Sequence, residues 1–400
     1  MRSYLLALAV LAAAPAQAIT FTATMLQTPE GVAMQGFGIN NHGDVVGGSG
    51  DGSTYQAYLR TAAGSYQALG GFGGTRSTAT AIAENGIIAG QARTGATGAT
   101  SIPFIRFGEG PLTPIALPAG ESAVATGVNA AGIVAGRFNT RDANNRIMTQ
   151  GFRWSQAQGL EVLSSAAGVS SLAINGLNDA GVAVGTALGR AASPFRWEAD
   201  GSVTLLERLS GVPNDFYNDG YANAISDSGL TAGSVSASGI GSDGGFVDTN
   251  LFAIWGSDGK LLRTAAIDTY FGGDLTAINV FGDAVGSVAH TVFDPVTGIG
   301  TDEGHAVLWL ADKGPVDLGQ LIAGGPLDLR GAFGINDSRQ IVAWGLANGV
   351  RFDVLLTPVT DAVPEPSSWA LMILGFGIAG AASRRRPRRA AASGHQARFR

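Results

Sequence analysis

The sequence predicts an all-β chain: a seven-bladed β-propeller closed by its own N-terminal strand, preceded by a signal peptide and followed by a C-terminal helix. Three observations predict it. Glycine supplies 60 of 400 residues and charged side chains only 14%, against about 7% and about 25% in an average chain. A glycine-bearing turn motif recurs along the middle of the sequence, and a strand containing an aromatic residue follows each copy. A repeat of that length with four strands per unit is the signature of propeller blades.

The chain opens MRSYLLALAVLAAAPAQA: Arg2, an apolar run from Leu5 to Ala14, and Ala16-Gln17-Ala18. This is the pattern of a secretory signal peptide over residues 1–18, cut between Ala18 and Ile19. A short membrane anchor is the alternative, and the small residues ahead of the cut favour the signal. The exported chain has no Cys. That rules out a disulfide scaffold, thiolate metal sites and a Cys nucleophile.

Residues 19–361 form the repeat domain. The motif small-x-x-[IVL]-N-x-x-G-x-[VI]-x-G ends at Gly47, Gly90, Gly136, Gly185, Gly233 and Gly286, and a worn seventh copy has Arg339 and Ala343 for its glycines. Its first glycines, Gly43, Gly86, Gly132, Gly181, Gly229 and Gly282, are 43, 46, 49, 48 and 53 residues apart. An Asn followed three residues later by Gly is a tight-turn signal: the Asn bonds local backbone and the Gly takes positive φ. It therefore joins strands a and b as a hairpin. Strand c is the aromatic element (QAYLR at 56–60, PFIRF at 103–107, GFRW at 151–154, PFRW at 194–197, FAIW at 252–255, HAVLW at 305–309, RFDVLL at 351–356), and a short strand d ending in Leu follows.

The seventh unit stops after strand c, near Leu356. The segment ITFTATML at 19–26 has the phase of a strand d, since Leu26 precedes Gly43 by 17 residues, as Leu69 precedes Gly86. Pairing the first strand with the last would close the ring and remove open sheet edges. A sandwich or an open solenoid is the alternative, but no capping repeats are visible. The IN-x-x-G-x-VVG unit followed by an AFLW-like strand, best seen at Ile39–Gly47 and His305–Trp309, resembles the HAF family of extracellular repeats. That resemblance implies fold and location and carries no catalytic residue.

The C-terminus reads VPEPSSWALMILGFGIAGAASRRRPRR. Pro364-Glu365-Pro366 precedes 14 apolar residues, 369–382, and then Arg384, Arg385 and Arg386. A stable membrane span wants about 20. Arginines after a span stop transfer and stay cytoplasmic. Tripeptide, short span and arginine cluster resemble the PEP-CTERM sorting signal of Gram-negative bacteria, here residues 362–389, with a cytoplasmic tail at 390–400. The resemblance implies recognition at Pro364, Glu365 and Pro366, arrest by the three arginines, transient retention in the inner membrane, and removal of the tag by an exosortase. It also implies delivery to the cell surface or extracellular matrix, alongside exopolysaccharide. A permanent single-span anchor is the other reading.

Charge divides with the domains. Residues 19–361 carry 17 basic and 30 acidic side chains, and the last 17 residues seven Arg and no acid. An acidic domain repels phosphates, so nucleic acid is excluded as a partner. Recurring Asn40, Asn129, Asn178, Asn279 and Asn336 are explained by the turn, and recurring Trp154, Trp197, Trp255 and Trp309 by packing between blades.

Where the repeat breaks, function is sought. The longest b–c connections, 234–250 and 287–304, belong to units five and six, and an acidic d–a connection, 211–222, lies before unit five. In a four-stranded meander these three emerge on one face. They offer Asp215, Tyr217, Asp219, Asp243, Asp248, His290, Asp294, Asp302 and Glu303 as candidate ligand-binding residues. No EF-hand spacing, H-E-x-x-H or nucleophile elbow accompanies them, so no cofactor is expected, with Ca²⁺ the one conceivable ion. The expected function is non-catalytic binding or structure, towards exopolysaccharide or surface proteins. The alternative is a Ca²⁺-dependent carbohydrate-active hydrolase or lyase on the same face.

Overall fold

Each repeat folds as an antiparallel four-stranded sheet in the order a–b–c–d, and seven such sheets form the domain. The computed structural model describes residues 19–359, except 52, 96–99, 119–121, 164–170, 190, 211–214, 241–245, 268–271 and 294–299. The blades occupy residues 34–70, 77–114, 123–162, 171–205, 215–265, 273–317 and 329–358. Each inner strand a packs against those of its two neighbours, and the strand a of blade 7 (Leu329–Ile335) packs against that of blade 1 (Met34–Ile39). The ring is therefore closed around a central channel.

The closure is the one the strand phase predicts. Phe21–Met25 pairs antiparallel with Val350–Pro358, Phe21 opposite Pro358 and Met25 opposite Val354, as strand d of blade 7. Phe21 is fully buried in the core shared by blades 6 and 7, beside Leu318, Leu329 and Leu356. Phe21 and Pro358 thus stand where the other blades have a c–d turn.

The motif explains itself in this geometry. The first glycines hold φ between 74° and 88°, a region that costs Gly little and other residues more. The second glycines are needed for a different reason. Strand a carries a bulge in every blade, with Phe37, Thr80, Thr126, Asn175, Asn223, Thr276 and Phe333 as the extra residues. The bulge drives a strand-a carbonyl against strand b. A Cβ at Gly47 would collide with the Gln35 carbonyl, and one at Gly185 with that of Ala173. In the worn seventh copy, Arg339 adopts φ 60° and its Nε donates to Asp283 Oδ2 of blade 6 at 2.8 Å. A second register shift in strand a, at Arg330, moves the tight approach to Gly345, which leaves room for Ala343.

The motif asparagines do more than make turns. Oδ1 of Asn178 accepts from the Val182 N–H of its own hairpin at 3.0 Å, and its Nδ2 donates to the Ser226 carbonyl of blade 5 at 3.2 Å. Asn129 reaches Asn178, Asn279 reaches Asn336, and Asn336 reaches Asn40, closing the circle at 3.0 Å. The bulge residues form a second belt: Thr80 to Ala125, Thr126 to Ile174, Asn175 to Ala222, Asn223 to Leu275, Thr276 to Ala332. At the closing seam Phe37 and Phe333 replace these donors, and their rings lie 5.7 Å apart.

Trp197, Trp255 and Trp309 are buried, as inter-blade packing requires, whereas Trp154 is half-buried. Arg153 of blade 3 lies 3.9 Å from the Trp197 ring centre and donates to the Gly181 and Glu198 carbonyls of blade 4. Arg263 of blade 5 repeats this over Trp309, donating to Gly282 and Ala311.

Asn178→Ala removes two buried hydrogen bonds and strands a carbonyl and an N–H; it is expected to cost about 2–4 kcal/mol in urea unfolding. Deleting residues 19–25 opens the ring and bares the strand-c edge of blade 7; the expected outcome is loss of the single cooperative transition and aggregation.

Candidate functional site

The channel is built in layers, one residue per blade. The bulge residues form the first layer, and Ile39, Ile82, Val128, Leu177, Ile225, Ile278 and Ile335 the second. This aliphatic ring lies between a chamber of about 210 Å³ on the bulge side and one of about 180 Å³ on the a–b turn side. Its position follows from the motif, since these residues immediately precede the motif Asn or its substitutes.

The turn-side chamber is rimmed by Asn41, Glu84, Asp179, Asp227 and Asp337. Each carboxylate accepts from the preceding blade's backbone: Glu84 from Asn41, Asp179 from Ala130, Asp227 from Asp179, Asp337 from Val280. Asn41 Oδ1 accepts from Asp337 N at 2.7 Å. Burial, then repulsion from Asp337 and Asp179, raises the Glu84 pKa against the opposing Asn41 N–H. Asp227 is raised in the same way. These acids are a third inter-blade belt. Among the described residues no group of three or more His, Asp or Glu is placed to hold a metal ion.

The opposite face carries the segments that break the repeat, and here the structure corrects an expectation. The connections 211–222, 234–250 and 287–304, read from sequence as loops, are mostly strand. In blade 5, strands a, b and c run Asp215–Ile225, Thr231–Ile240 and Phe246–Trp255. In blade 6, strands b and c run Ala284–Phe293 and Gly300–Trp309. Blade 3 has a shorter extension, Val134–Arg141 with Ile147–Ser155. Continuous ladders hold these segments upright as hairpins.

The candidate residues fall on this framework as follows. Asp215, Tyr217 and Asp219 are in strand a of blade 5, and Asp219 Oδ1 accepts from Ala192 N at 2.7 Å. Asp248 stands opposite Ser238 in the same blade. In blade 6, His290 stands opposite Glu303 and Thr291 opposite Asp302. Asp243 and Asp294 lie outside the described residues, as do Ala16, Ala18, Pro364, Glu365, Pro366, Arg384, Arg385 and Arg386.

One residue at the root of these hairpins escapes the sequence reading. Asp274, in strand a of blade 6, stands in the register where other blades have Gln35, Thr78, Val124, Ala173 and Tyr221. Its carboxyl takes hydrogen bonds from Asn223 and Ser234 of blade 5 and from the Leu275 backbone. Its Oδ1 is buried without a hydrogen-bond partner among the described residues. Burial pushes its pKa up to about 6, against those hydrogen bonds. A carboxylate in a register of uncharged residues was the available signal.

A cleft of about 500 Å³ opens between blades 3 and 4 on the turn side. Its floor is Arg153, whose donors are taken by two carbonyls and by Glu161. It is a structural joint.

The comparisons bear on the two parts of the chain separately. Residues 362–386 match the PEP-CTERM protein-sorting motif. The motif implies sorting by an exosortase and export to the cell envelope and surface of a Gram-negative bacterium. Among the described residues no helix is long and apolar enough to cross a membrane. No curated protein sequence matches the chain. Among solved structures it is similar to a gluconolactonase from Xanthomonas campestris at 10% identity, TM-score 0.36, covering 86% of this chain and 99% of that one. It is similar to a neuraminidase-like protein of a bat isolate from Guatemala at 10% identity, TM-score 0.38, covering 85% and 93%. It is also similar to TolB from Acinetobacter baumannii at 13% identity, TM-score 0.33, covering 80% of each. Scores this low carry no argument about activity.

Asp274 gives a pH dependence of definite sign. Its folded pKa lies above the unfolded value, so its stabilising contribution is complete below about pH 4 and is lost as pH rises through about 6. Asp274→Asn is therefore expected to exceed the parent in stability by about 2 kcal/mol at pH 8 and to match it near pH 4, in urea titrations at each pH.

Proposed function

We propose that this chain is an exosortase-sorted surface protein of the HAF-repeat type whose work is non-catalytic binding in the extracellular matrix. Its contact surface is the face bearing the extended hairpins of blades 3, 5 and 6, and its partners are exopolysaccharide or surface proteins. One observation carries the reading: a sorting motif is joined to a scaffold whose repeated polar groups are spent on one another. The Asn, bulge and carboxylate belts satisfy the inner ring, and the departures from the repeat gather on one face. Binding residues on a rigid scaffold concentrate in such departures.

A second reading, a carbohydrate-active hydrolase or lyase on that face, is favoured by the register that places His290 opposite Glu303.

Two measurements test the proposal. The mature protein is co-sedimented with the producer's own exopolysaccharide, with and without Ca²⁺. Replacing residues 239–247 by a two-residue turn is expected to weaken binding about tenfold or more, with unfolding unchanged. Equal binding by the shortened variant would sink the hairpin assignment. Intact mass of the protein recovered from the cell surface is expected to lack Arg384–Arg386, and Pro364→Ala with Pro366→Ala to retain them.

A further inference from the structure

The bulge layer of the channel departs from its own rule on one side. In blades 2 to 6 its residue is Thr or Asn and passes a hydrogen bond to the next blade. At the seam the residues are Phe37 and Phe333, whose rings lie 5.7 Å apart. Both are half-buried and both line the bulge-side chamber. Aromatic surface is thus left open to a cavity whose wall at that level is otherwise Thr and Asn. Apolar surface in water forgoes stabilisation that a ligand with an apolar face would recover.

One layer nearer the hairpins, the same side of the ring carries three unlike groups. In one register blade 5 has Tyr221, blade 6 Asp274 and blade 7 Gly331. Tyr221 is exposed. Burial of its ring, and then the charges of Asp219 and Asp274, raise its pKa, so the phenol stands in the field of Asp274. Asp274 Oδ1 is buried without a hydrogen-bond partner among the described residues. Gly331 leaves space over which Trp344 of strand b leans: a Cβ there would lie 2.7 Å from Trp344 Nε1. The half-buried indole also bears Arg351, whose Cζ lies 4.7 Å from the ring centre and which pairs with Asp353.

We infer that the bulge-side chamber receives the terminal residue of a neutral glycan: one pyranose ring whose C–H face meets Phe37 and Phe333 and whose hydroxyls meet Asp274, with Tyr221 and Trp344 at the mouth. This site, which rests on the hairpin face being the binding face, gives that face its ligand. An aromatic ring has a negative face that suits the C–H groups of a sugar, and a carboxylate is a strong acceptor for hydroxyl donors. Size and closure select the end of a chain. The chamber holds about 210 Å³, below the ~300–1,000 Å³ of sites that enclose a drug-sized ligand, and the aliphatic ring separates it from the turn-side chamber. Charge selects a neutral residue, because the domain is acidic and Asp219 and Asp274 act on this side of the mouth; an anionic sugar is repelled.

The test uses the mature protein and the producer's own exopolysaccharide, intact and cut by mild acid into short oligosaccharides. Per unit mass the fragments carry more chain ends, and they are expected to displace bound polymer about tenfold better than polymer itself. Fragments no better than polymer overturn end recognition. Asp274→Ala and Phe333→Thr install residues that other blades carry at the same positions, so both are expected to unfold in urea as cooperatively as the parent. Each is expected to weaken fragment binding about tenfold or more. Unchanged fragment binding by either variant overturns the chamber assignment and leaves the hairpin reading standing. Replacing residues 239–247 by a two-residue turn is expected to weaken binding of the polymer and to spare that of the fragments. Retained fragments that prove anionic overturn the neutral class. A parent that binds neither polymer nor fragments overturns both readings.

Discussion

The domain depends on one side chain used twice per repeat. The motif Asn accepts from the N–H four residues on in its own hairpin and donates to the carbonyl of the next blade. Only an amide can do both: a carboxylate has no donor, and a hydroxyl is too short to span turn and neighbour together. Because the side chains are nearly inaccessible to water, either bond left unmade would strand a buried polar group. The turn fixes the amide's direction, and the amide fixes the next blade's turn. The Asn336-to-Asn40 bond at the seam shows that blade 7, assembled from both ends of the chain, is held to its neighbour as the others are to theirs. Blade 2 has Ala83 at this position and reaches blade 3 through Asn85 Nδ2 to the Ala130 carbonyl. Blade 5 has Ser226, and Arg263 joins it to the Gly282 carbonyl as Arg153 joins blade 3 to Gly181.

Much of this was legible in the sequence, because a repeat states each rule several times. The phase of Leu26 against Gly43 placed the closing strand, and glycine at the fourth turn position announced the positive φ. The bulge was not legible. Its residue is Phe, Thr or Asn depending on the blade, and nothing local distinguishes it from an ordinary strand position. Its consequence was legible without its cause, as the second glycine of the first six copies. Arg339 looked like decay of the motif, yet its charge meets the buried Asp283, a pairing visible only when blades 6 and 7 are side by side.

The hairpins of blades 5 and 6 were misread for a physical reason. Segments such as SVSASGI and SVAHTVF begin in the packed core, where Val235, Ala237 and Val288 are buried, and run on as strand beyond the length of the shorter blades. Their strand character comes from ladder pairing with one another, which periodicity does not report. The described residues among those chosen there therefore have partners set by register: His290 stands opposite Glu303, and Asp248 opposite Ser238.

Asp274 joins these two levels. Its acceptor contacts reach Asn223, a member of the bulge belt, and Ser234, on the blade 5 strand that continues upward into the hairpin. As the neutral acid it can be buried at modest cost. Once ionised, it carries a charge whose Oδ1 has no hydrogen-bond donor among the described residues. Burial heads the causes of its raised pKa, and no charged side chain is among them, so ionisation is opposed by lost hydration and not by a neighbouring anion. The seam between the two blades with the longest hairpins is thus the place where the inner ring's polar bookkeeping is left open. The Asn and carboxylate belts hold donors and acceptors matched across blades, and blade 6 puts a carboxylate where its counterparts are the uncharged Gln35, Thr78, Val124, Ala173, Tyr221 and Gly331.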